Sequence, residues 1–268
     1  MSRPLITVAV CTYNGEAYLA QTLDSILAQD YPNFEVVIVD DGSKDRTVSI
    51  IEQYAREQFR IRPFYRSNHG LAASRNFAFA NALGEWIAII DQDDLCYPPR
   101  LSRQMDVAES NPTAGLVFCN TDYIDESNKV IGNHLSGFVL PERILRRIEA
   151  ANLLLRVGCY IDSEACFIRR STVERVGQLD EELVYACDYD YFIRAGLEVD
   201  FAYSPETLAA WRIHPQQATK TYRKIGNEIR RVFWRHCCAK DVATLTRIIV
   251  LAKIAKSVVG DAARRLKR

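Results

Sequence analysis

The stretch Trp86-Ile87-Ala88-Ile89-Ile90-Asp91-Gln92-Asp93-Asp94 decides the fold of this chain. A short apolar run of this kind predicts a β-strand, and three carboxylates follow where the strand ends. The stretch Val37-Ile38-Val39-Asp40-Asp41-Gly42-Ser43 shows the same arrangement earlier in the chain. Both stretches predict strands of one sheet that carry acidic residues at their carboxyl ends.

Short apolar runs alternate with segments of helical periodicity through the first 120 residues. This alternation predicts successive βα units, which form a mostly parallel α/β sheet with right-handed crossovers and flanking helices. The predicted strands are residues 6–11, 34–39, 61–65, 86–90 and 115–119. The predicted helices are residues 17–28, 47–58 and 71–82 and one that starts near Arg100. In open sheets of this kind, ligands bind beyond the carboxyl ends of the strands.

The pattern is less regular beyond residue 120 and indicates an α+β elaboration of the sheet. It predicts a loop at 125–128, a helix near 141–155 and a strand at 165–168. These elements complete a predicted α/β domain over residues 1–217, which divides into two halves after residue 120.

Residues 218–268 differ from the rest of the chain in charge. The formal net charge of the chain is zero, but these residues contain fourteen Lys and Arg against three Asp and Glu. We expect a basic extension of two helices, the second with an apolar stripe along one side. The stripe consists of Leu245, Ile248, Ala252, Ala255, Val259, Ala262 and Leu266. We expect it to pack on the domain or on a second copy of the chain, with contact to an anionic membrane face as the alternative.

The composition is that of an ordinary globular protein, with 48% hydrophobic and 25% charged residues, and it argues against disorder. No secretory signal follows Met1, and no run of eighteen apolar residues predicts a membrane span, so we expect the chain to be cytoplasmic. The eight cysteines show neither Cys-x-x-Cys nor Cys/His metal spacing, and we therefore expect no disulfide framework.

Asp91 and Asp93 are candidate metal ligands. Alternate residues of a strand point the same way, so both carboxylates can face one small volume, where they repel unless a cation joins them. Oxygen ligands suit Mg²⁺ or Mn²⁺, which commonly bind one or two carboxylates together with substrate phosphates. The acidic run suggests a divalent metal held for a diphosphate, and a solvated turn is the alternative.

Further positions at the same sheet edge suit a nucleotide. Asp41, beside the weaker candidate Asp40, can accept the imide hydrogen of a uracil-type base, and Gly42 allows a close turn around it. Tyr13 can stack on that base, or else is a partly buried aromatic residue. Arg75 lies in the first turns of a predicted helix and suits an anionic group, or else forms a surface ion pair.

Five stretches in this order resemble the family 2 glycosyltransferases of the GT-A fold. They are Cys11-Thr12-Tyr13-Asn14-Gly15, Val37-Ile38-Val39-Asp40-Asp41-Gly42-Ser43, Ala73-Ser74-Arg75-Asn76, Gly84-Glu85-Trp86-Ile87-Ala88-Ile89-Ile90-Asp91-Gln92-Asp93-Asp94 and Asp188-Tyr189-Asp190. The resemblance covers roughly residues 4–215, and the combination is specific although no single stretch is. It implies a GT-A, Rossmann-like fold and inverting transfer of a sugar from a nucleotide-diphosphate donor. We expect a UDP-sugar as the donor, with a dTDP-sugar as the alternative.

The resemblance also implies roles for single residues. The residues that it places around the nucleotide, with Glu16 close by, are Cys11, Tyr13, Asp41 and Arg75. It implies that Asp91 contributes to donor binding and that Asp93 is the main ligand of Mn²⁺ or Mg²⁺. The segment Trp211-Arg212-Ile213-His214 resembles the family's Arg-x-His stretch and places His214 near the metal or the diphosphate.

An inverting transfer needs a base on the acceptor side, and the resemblance suggests Asp188. A carboxylate can accept the proton of the acceptor hydroxyl when it lies within hydrogen-bond reach of that oxygen. Many relatives have Glu immediately before this Asp, whereas this chain has Cys187. Asp190 is the alternative base, and capping of a helix by both aspartates is an alternative to catalysis.

Two other functions compete with glycosyl transfer. A nucleotidyltransferase would also use an α/β sheet and Asp-bound Mg²⁺, but the chain has neither Gly-x-Gly-x-x-Gly nor a Walker-type lysine motif. A noncatalytic nucleotide- or carbohydrate-binding module of a polysaccharide assembly system would not need Asp188 beside Asp91 and Asp93. We therefore expect an enzyme that binds a nucleotide-sugar donor and a glycan or lipid-linked glycan acceptor, and no nucleic acid.

Overall fold

A computed structural model describes residues 3–138, 140, 144–217 and 225–266, with side chains described as far as residue 257. The strands in this part of the chain are β1 Ile6–Thr12, β2 Phe34–Asp40, β3 Ile61–Tyr65, β4 Trp86–Asp91, β5 Leu95–Cys96, β6 Ala114–Ile124, β7 Val130–Asn133, β8 Cys166–Arg169 and β9 Asp200–Arg212. The helices are α1 Leu19–Leu27, α2 Thr47–Glu57, α3 Leu71–Asn81, α4 Arg100–Ser110, α5 Glu149–Val157, α6 Arg170–Val176, α7 Cys187–Glu198, α8 Ile225–Cys237 and α9 Thr244–Leu266. Short 3₁₀ turns occur at Leu135–Gly137 and Ser163–Ala165.

The strands form one sheet in the order β3-β2-β1-β4-β8-β6-β9-β5, and β7 pairs with the end of β6. The first four strands in this order run parallel. Beyond them the sheet is mixed, because β8 is antiparallel to both β4 and β6, while β9 is parallel to β6. In the parallel half Thr12 is paired with Asp40 and Cys11 with Asp91. The carboxyl ends of β1, β2 and β4 therefore lie side by side.

The two faces of the sheet bury different residues of the same strands. On one face Ile6, Val8 and Val10 of β1 pack with buried residues of α1, α2 and α4. On the other face Ala9 and Cys11 pack with buried residues of α3, α5, α7 and α8. Complete burial of an aliphatic side chain contributes roughly 1.5–3 kcal/mol, so the strands form a firm support for the polar loops at their ends.

The sequence predictions for the first 120 residues are confirmed, with each element displaced by only a few residues. The predicted helix near 141–155 is wrong in its start, because helix α5 begins at Glu149. Leu145 instead exchanges two backbone hydrogen bonds of 2.8 Å with Phe201, which holds the chain extended there. Ile148 then turns with a positive φ of 68° before the helix begins. Residues 141–143 lie outside the described residues.

Both predicted C-terminal helices are present, but the apolar stripe of α9 does not pack on the domain at the four stripe positions whose side chains are described, Leu245, Ile248, Ala252 and Ala255. The residues of α9 that are buried against the core are Thr246, Val250 and Ile254. Leu245 and Ile248 of the stripe are each 60% exposed. The prediction that this stripe packs on the domain is thus wrong for these residues. Helix α9 has a second apolar side, which contains Val250 and Ile254, and it is this side that is buried. None of the described helices is both long enough and apolar enough to cross a bilayer.

Candidate active site

Side chains join the loops that follow β1, β2 and β4. The Gln92 side chain accepts a hydrogen bond from the Tyr13 N–H at 2.8 Å and donates one to the Tyr13 carbonyl at 3.1 Å. The Asn14 N–H donates to Ser43 Oγ at 2.9 Å, and the Lys44 N–H donates to Asn14 Oδ1 at 2.8 Å. These bonds tie the three loops into one polar rim at the edge of the sheet.

The carboxylate of Asp40 shapes its own turn. It accepts hydrogen bonds from Thr12 Oγ1 at 3.1 Å, from the N–H groups of Gly42 and Ser43 at 3.1 and 3.0 Å, and from Ser43 Oγ at 2.5 Å. Gly42 adopts a φ of +82°, which glycine tolerates without strain. Asp40 is therefore committed to the turn and is a poor candidate for contact with a ligand.

Asp41 is buried and is oriented by the loop before α3. Its Oδ1 accepts from the His69 N–H at 2.9 Å, and its Oδ2 accepts from the Gly70 N–H at 2.8 Å. Gly70 precedes α3 with a φ of 89°. Each carboxylate oxygen can accept more than one hydrogen bond, so Asp41 retains capacity for a donor group on a base.

The other predicted nucleotide contacts of the rim differ in exposure. Tyr13 is 46% exposed and presents its ring at the surface. Cys11 is buried near the end of β1, and burial raises the pKa of its thiol to about 12, which keeps the sulfur uncharged at neutral pH. Glu16 accepts hydrogen bonds from the Arg46 N–H at 3.0 Å and Arg46 Nε at 3.1 Å, and these bonds lower its pKa. Glu16 is thus held by Arg46 at the outer side of the rim.

Arg75 connects two acidic segments that are distant in sequence. Its side chain is 1% exposed. Its Nη2 donates to Asp91 Oδ1 at 2.5 Å, and its Nη1 donates to Asp188 Oδ1. Ser163 Oγ donates to the second oxygen of Asp91 at 3.3 Å. Because buried charges persist only when they are paired, this three-residue arrangement holds each side chain in one place.

Asp188 is the second residue of α7 and lies in its first turn. The N-cap residue is Ala186, so the expectation that the two aspartates cap this helix is wrong in position. The Asp188 side chain is 22% exposed. Burial raises the pKa of the Asp188 carboxyl above its ordinary value, although the Arg75 guanidinium opposes that shift. Asp188 is therefore a partly accessible carboxylate of increased basicity.

Asp190 points away from Asp188. The two residues are two positions apart on an α-helix, which rotates their side chains by about 200° relative to each other. The Asp190 side chain is fully buried. It accepts hydrogen bonds from Arg194 Nε at 2.8 Å, Arg235 Nη1 at 2.9 Å and His236 Nε2 at 2.8 Å. The structure therefore does not bring Asp190 into the volume beside Arg75.

His214 and Asp93 form a close pair beside this volume. His214 Nε2 lies 2.8 Å from Asp93 Oδ2, and the side chains are 8% and 22% exposed. Arg212 orders the same loop, because its Nε donates to the Asp93 carbonyl and its N–H donates to Asp94 Oδ1, both at 2.8 Å. Burial raises the pKa of Asp93 even though His214 lowers it.

The acidic residues of this region fit a divalent cation. Asp91, Asp94 and Glu164 each offer an oxygen, and these oxygens lie within 4.8 Å of one another. Asp94 and Glu164 are almost completely buried, and burial raises the pKa of both carboxyls. Within the described part of the chain Glu164 Oε1 has no hydrogen-bond partner. Three carboxylate oxygens form a donor set that suits Mn²⁺ or Mg²⁺.

The model of the family described as glycosyl transferase family 2 matches residues 7–177. The chain belongs to this family. An uncharacterized glycosyltransferase of Rickettsia typhi is 30% identical to this family 2 glycosyltransferase over 220 residues, which are 81% of this chain and 67% of that protein. Three other rickettsial relatives are longer, and the chain spans 31% to 38% of their length.

Solved structures of similar fold confirm the GT-A architecture of this family 2 glycosyltransferase. Staphylococcus aureus TarS 1–349 in complex with UDP-GlcNAc has a TM-score of 0.71 and 19% identity, over 94% of this chain and 72% of that chain. The mannosyltransferase PcManGT of Pyrobaculum calidifontis, in complex with GDP-Man and Mn²⁺, has a TM-score of 0.67 and 20% identity. The match covers 98% of this chain and 76% of that chain. At these identities the likeness shows the fold alone.

Several residues of the family 2 site received no role from the sequence. Ser163 and Glu164 come directly before the short apolar run at residues 165–168. The sequence indicates a role for Glu164 only through the presence of a carboxylate next to a predicted strand. Arg212 lies in the quoted Arg-x-His stretch, but its bond to the Asp93 carbonyl depends on the antiparallel pairing of β9 with β5, which begins next to the acidic loop. Ser163 and Arg212 hold the acidic loop after β4 through their hydrogen bonds to Asp91 and to the Asp93 carbonyl.

Proposed function

We propose that this chain catalyses metal-dependent, inverting transfer of a sugar from a UDP-sugar to an acceptor hydroxyl, with Asp188 as the base. The observation that carries the proposal is the arrangement around Arg75, whose guanidinium binds Asp91 of the Asp-x-Asp segment and Asp188 at once. This arrangement sets a carboxylate of raised pKa beside the acidic loop at the carboxyl end of β4.

The reaction forms a bond between the acceptor oxygen and the anomeric carbon while the bond from that carbon to the diphosphate breaks. The acceptor proton passes to the Asp188 carboxylate as the new bond forms. Arg75 fixes one oxygen of Asp188, so the second oxygen is the one that accepts the proton. Positioning by the buried ion pairs reduces the reorganisation needed to reach the transition state.

A divalent cation is the cofactor of the proposed reaction, and Asp93 and His214 are the residues that would hold it. The side chains of Asp93 and His214 are 22% and 8% exposed, whereas Asp94 and Glu164 are almost completely buried. Asp93 and His214 are therefore more accessible to a ligand. When bound, Mn²⁺ or Mg²⁺ neutralises negative charge on a diphosphate leaving group. The carboxylate of Asp91, with Arg75, would bind the donor beside it.

The rim of loops is the proposed nucleotide site. Asp41 has spare acceptor capacity for the imide hydrogen of uracil, and the half-exposed Tyr13 ring would stack on the base. The bound forms of structural neighbours include UDP-GlcNAc in TarS and GDP-Man in PcManGT. The carboxylate acceptor of Asp41 complements the imide N–H donor of a uracil-type base, and a comparison of UDP with GDP in binding assays tests this choice of base.

Release of free nucleotide from a panel of nucleotide-sugars tests the proposed function. We expect turnover of one UDP-sugar by the purified chain with Mn²⁺, loss of turnover with a chelator, and loss of turnover in Asp188→Asn. A noncatalytic binding module would bind UDP without turning over any donor. Unchanged turnover in Asp188→Asn would refute the assignment of the base.

The proposed acceptor is a glycan or a lipid-linked glycan, and the exposed stripe of α9 is a proposed contact with an anionic membrane face. Leu245 and Ile248 of the stripe are each 60% exposed, and Leu251 and Lys256 of the same helix are also exposed. Anionic lipids attract basic segments by roughly 1 kcal/mol per Lys or Arg. We expect cosedimentation with phosphatidylglycerol vesicles that Ile248→Glu weakens. Equal sedimentation with neutral vesicles, or self-association instead, would exclude this contact.

A further inference from the structure

Helix α8 lies outside the residues matched by the family model, yet it holds the segment that precedes the proposed base. Glu228 of α8 is 8% exposed. Its carboxylate accepts three backbone hydrogen bonds, from the N–H groups of Val184 at 3.1 Å, Tyr185 at 2.8 Å and Ala186 at 3.0 Å. Ala186 is the N-cap residue of α7, so these bonds end two residues before Asp188.

The same helix holds α7 at a second point, two residues beyond Asp188. The buried carboxylate of Asp190 accepts hydrogen bonds from Arg235 Nη1 at 2.9 Å and His236 Nε2 at 2.8 Å, both of α8. Val232 and Phe233, on the turn between the two contacts, are buried in the core that α7 shares. Asp188 thus lies between two polar contacts that both come from α8.

We propose that Glu228 and His236 are positioning residues, through which α8 sets the place of the Asp188 carboxylate for the reaction. This inference rests on the proposed function of Asp188 and adds a part of the chain that the family motifs do not include. Glu228 acts on the backbone before Asp188, and His236 acts on the side chain after it.

The chemistry of these contacts explains why a hydrophobic contact would not suffice. The N–H groups of Val184, Tyr185 and Ala186 lie in the turn that leads into α7, and a buried N–H group needs an acceptor. A carboxylate binds such N–H groups strongly because its hydrogen bonds are charge-assisted. Three N–H donors on one buried carboxylate fix both the direction and the depth of the segment before α7. Displacement of a reacting group by about 1 Å can lower the rate on the order of 100-fold. The position of the Asp188 carboxylate therefore affects the reaction rate directly.

Glu228→Gln tests the inference, because Gln keeps the size of the side chain but replaces one acceptor oxygen with an NH₂ donor. The turnover of the fastest donor among UDP-Glc, UDP-Gal, UDP-GlcNAc and GDP-Man is compared with the dissociation constant of UDP, measured by calorimetry. We expect kcat to fall about 10- to 100-fold while the UDP dissociation constant changes less than about 2-fold. A general loss of structure would instead weaken UDP binding as well.

A double-mutant cycle separates positioning of the base from any other effect. If Glu228 acts through Asp188, Glu228→Gln has no further effect on the residual rate of Asp188→Asn, whereas independent effects multiply. His236→Gln retains a donor for Asp190 and should lower kcat less than His236→Leu. If Glu228→Gln does not fold, the comparison of His236→Gln with His236→Leu still tests whether α8 positions Asp188.

Arg231→Ala is the matched control on the same helix. Arg231 is 46% exposed and pairs with Glu182, outside the segment from Val184 to Asp190. We expect its kcat to remain within about 2-fold of the unmodified chain. An unchanged kcat in both Glu228→Gln and His236→Leu, or multiplicative effects with Asp188→Asn, overturns the inference. If Asp188→Asn itself retains full turnover, the assignment of Asp188 as the base fails, and if the unmodified chain turns over no donor, the proposed function fails. These outcomes are distinct from a failure of the positioning role of α8.

Discussion

Arg75 and Asp188 lie 113 positions apart in the sequence and form a buried ion pair, in which the guanidinium donates to the carboxylate. The second arm of the same guanidinium binds Asp91. A planar fork of this kind can serve two carboxylates at fixed angles, and a lysine ammonium cannot. The relative position of the Asp-x-Asp segment and the proposed base therefore depends on one side chain.

Arg75→Lys should separate stability from catalysis at this point. Lys keeps a positive charge near both carboxylates but loses the fork geometry, so we expect kcat to fall about 100-fold. Arg75→Met leaves two partly buried carboxylates without their cation and should lower the free energy of unfolding by about 3 kcal/mol, the low end of the range for buried pairs, because Asp91 and Asp188 are 28% and 22% exposed. Turnover assays and urea denaturation at pH 7 measure the two effects.

Arg56→Met is the control for the stability measurement, because Arg56 forms an exposed i,i+4 pair with Glu52. Loss of such a pair should change the free energy of unfolding by about 0.5 kcal/mol or less. Equal losses in Arg56→Met and Arg75→Met would show that the buried arrangement has no special stability.

The metal ligands can be resolved by comparing four variants in Mn²⁺ titrations followed by electron paramagnetic resonance. We expect Asp93→Asn to weaken Mn²⁺ binding in the presence of UDP by about 100-fold, and His214→Gln by about 10-fold. Asp94→Asn and Glu164→Gln should have smaller effects, because these two carboxyls are buried and their pKa values are raised. Loss of Mn²⁺ in Glu164→Gln to the extent seen in Asp93→Asn would assign the ion to the cluster with Asp91 and Asp94.

The local patterns of the sequence were sufficient for the parallel half of the sheet. Alternating apolar runs and helical segments are short-range signals, and the ends of β1, β2 and β4 could be located from them. The strand β8 between β4 and β6, by contrast, pairs antiparallel across long sequence separations, and no local pattern encodes that choice. The same applies to helix α5, whose start is set by the pairing of Leu145 with Phe201.

The site shows the same division between local and long-range information. Asp41, Asp91 and Asp93 follow predicted strands, so the sheet edge alone brings them together. The partners that fix them do not follow from spacing, because Arg75 is an ordinary helix residue until Asp188 is placed against it. Side chains that act across the fold, such as Glu164 and Glu228, have no periodic signal, and only tertiary contacts show their roles.

The pH dependence of catalysis should report the ionisation of Asp188. Burial raises its pKa above the ordinary 3.8, and the base works only when ionised, so kcat should fall as the pH decreases through this raised pKa. The acid limb of the kcat profile should therefore lie at a higher pH than an ordinary aspartate would give. The UDP dissociation constant at each pH serves as the control for donor binding. A kcat that stays constant down to pH 4 would exclude a raised pKa for the base.

The stability of the fold at acidic pH should depend on Asp190. Burial opposes its ionisation, but hydrogen bonds from His236 and Arg194 prevail and lower its pKa to about 2 from an ordinary 3.8. A carboxyl with a lowered pKa in the folded state stabilises the fold above the unfolded pKa, and the contribution disappears as the pH falls through the folded pKa. This contribution is on the order of 2 kcal/mol near neutral pH, with about half of it lost by pH 3.

Urea denaturation of the unmodified chain and of Asp190→Asn between pH 7 and pH 3 measures this contribution as a difference. Other carboxyls titrate equally in both chains and cancel, so the stability advantage of Asp190 should be constant down to about pH 5 and then decrease. The decrease must set in as the pH approaches 3.8, because only the unfolded chain takes up a proton at this position between 3.8 and 2. A difference that stays constant down to pH 3 would mean that His236 and Arg194 do not lower the pKa of Asp190, and that α8 holds α7 through packing alone.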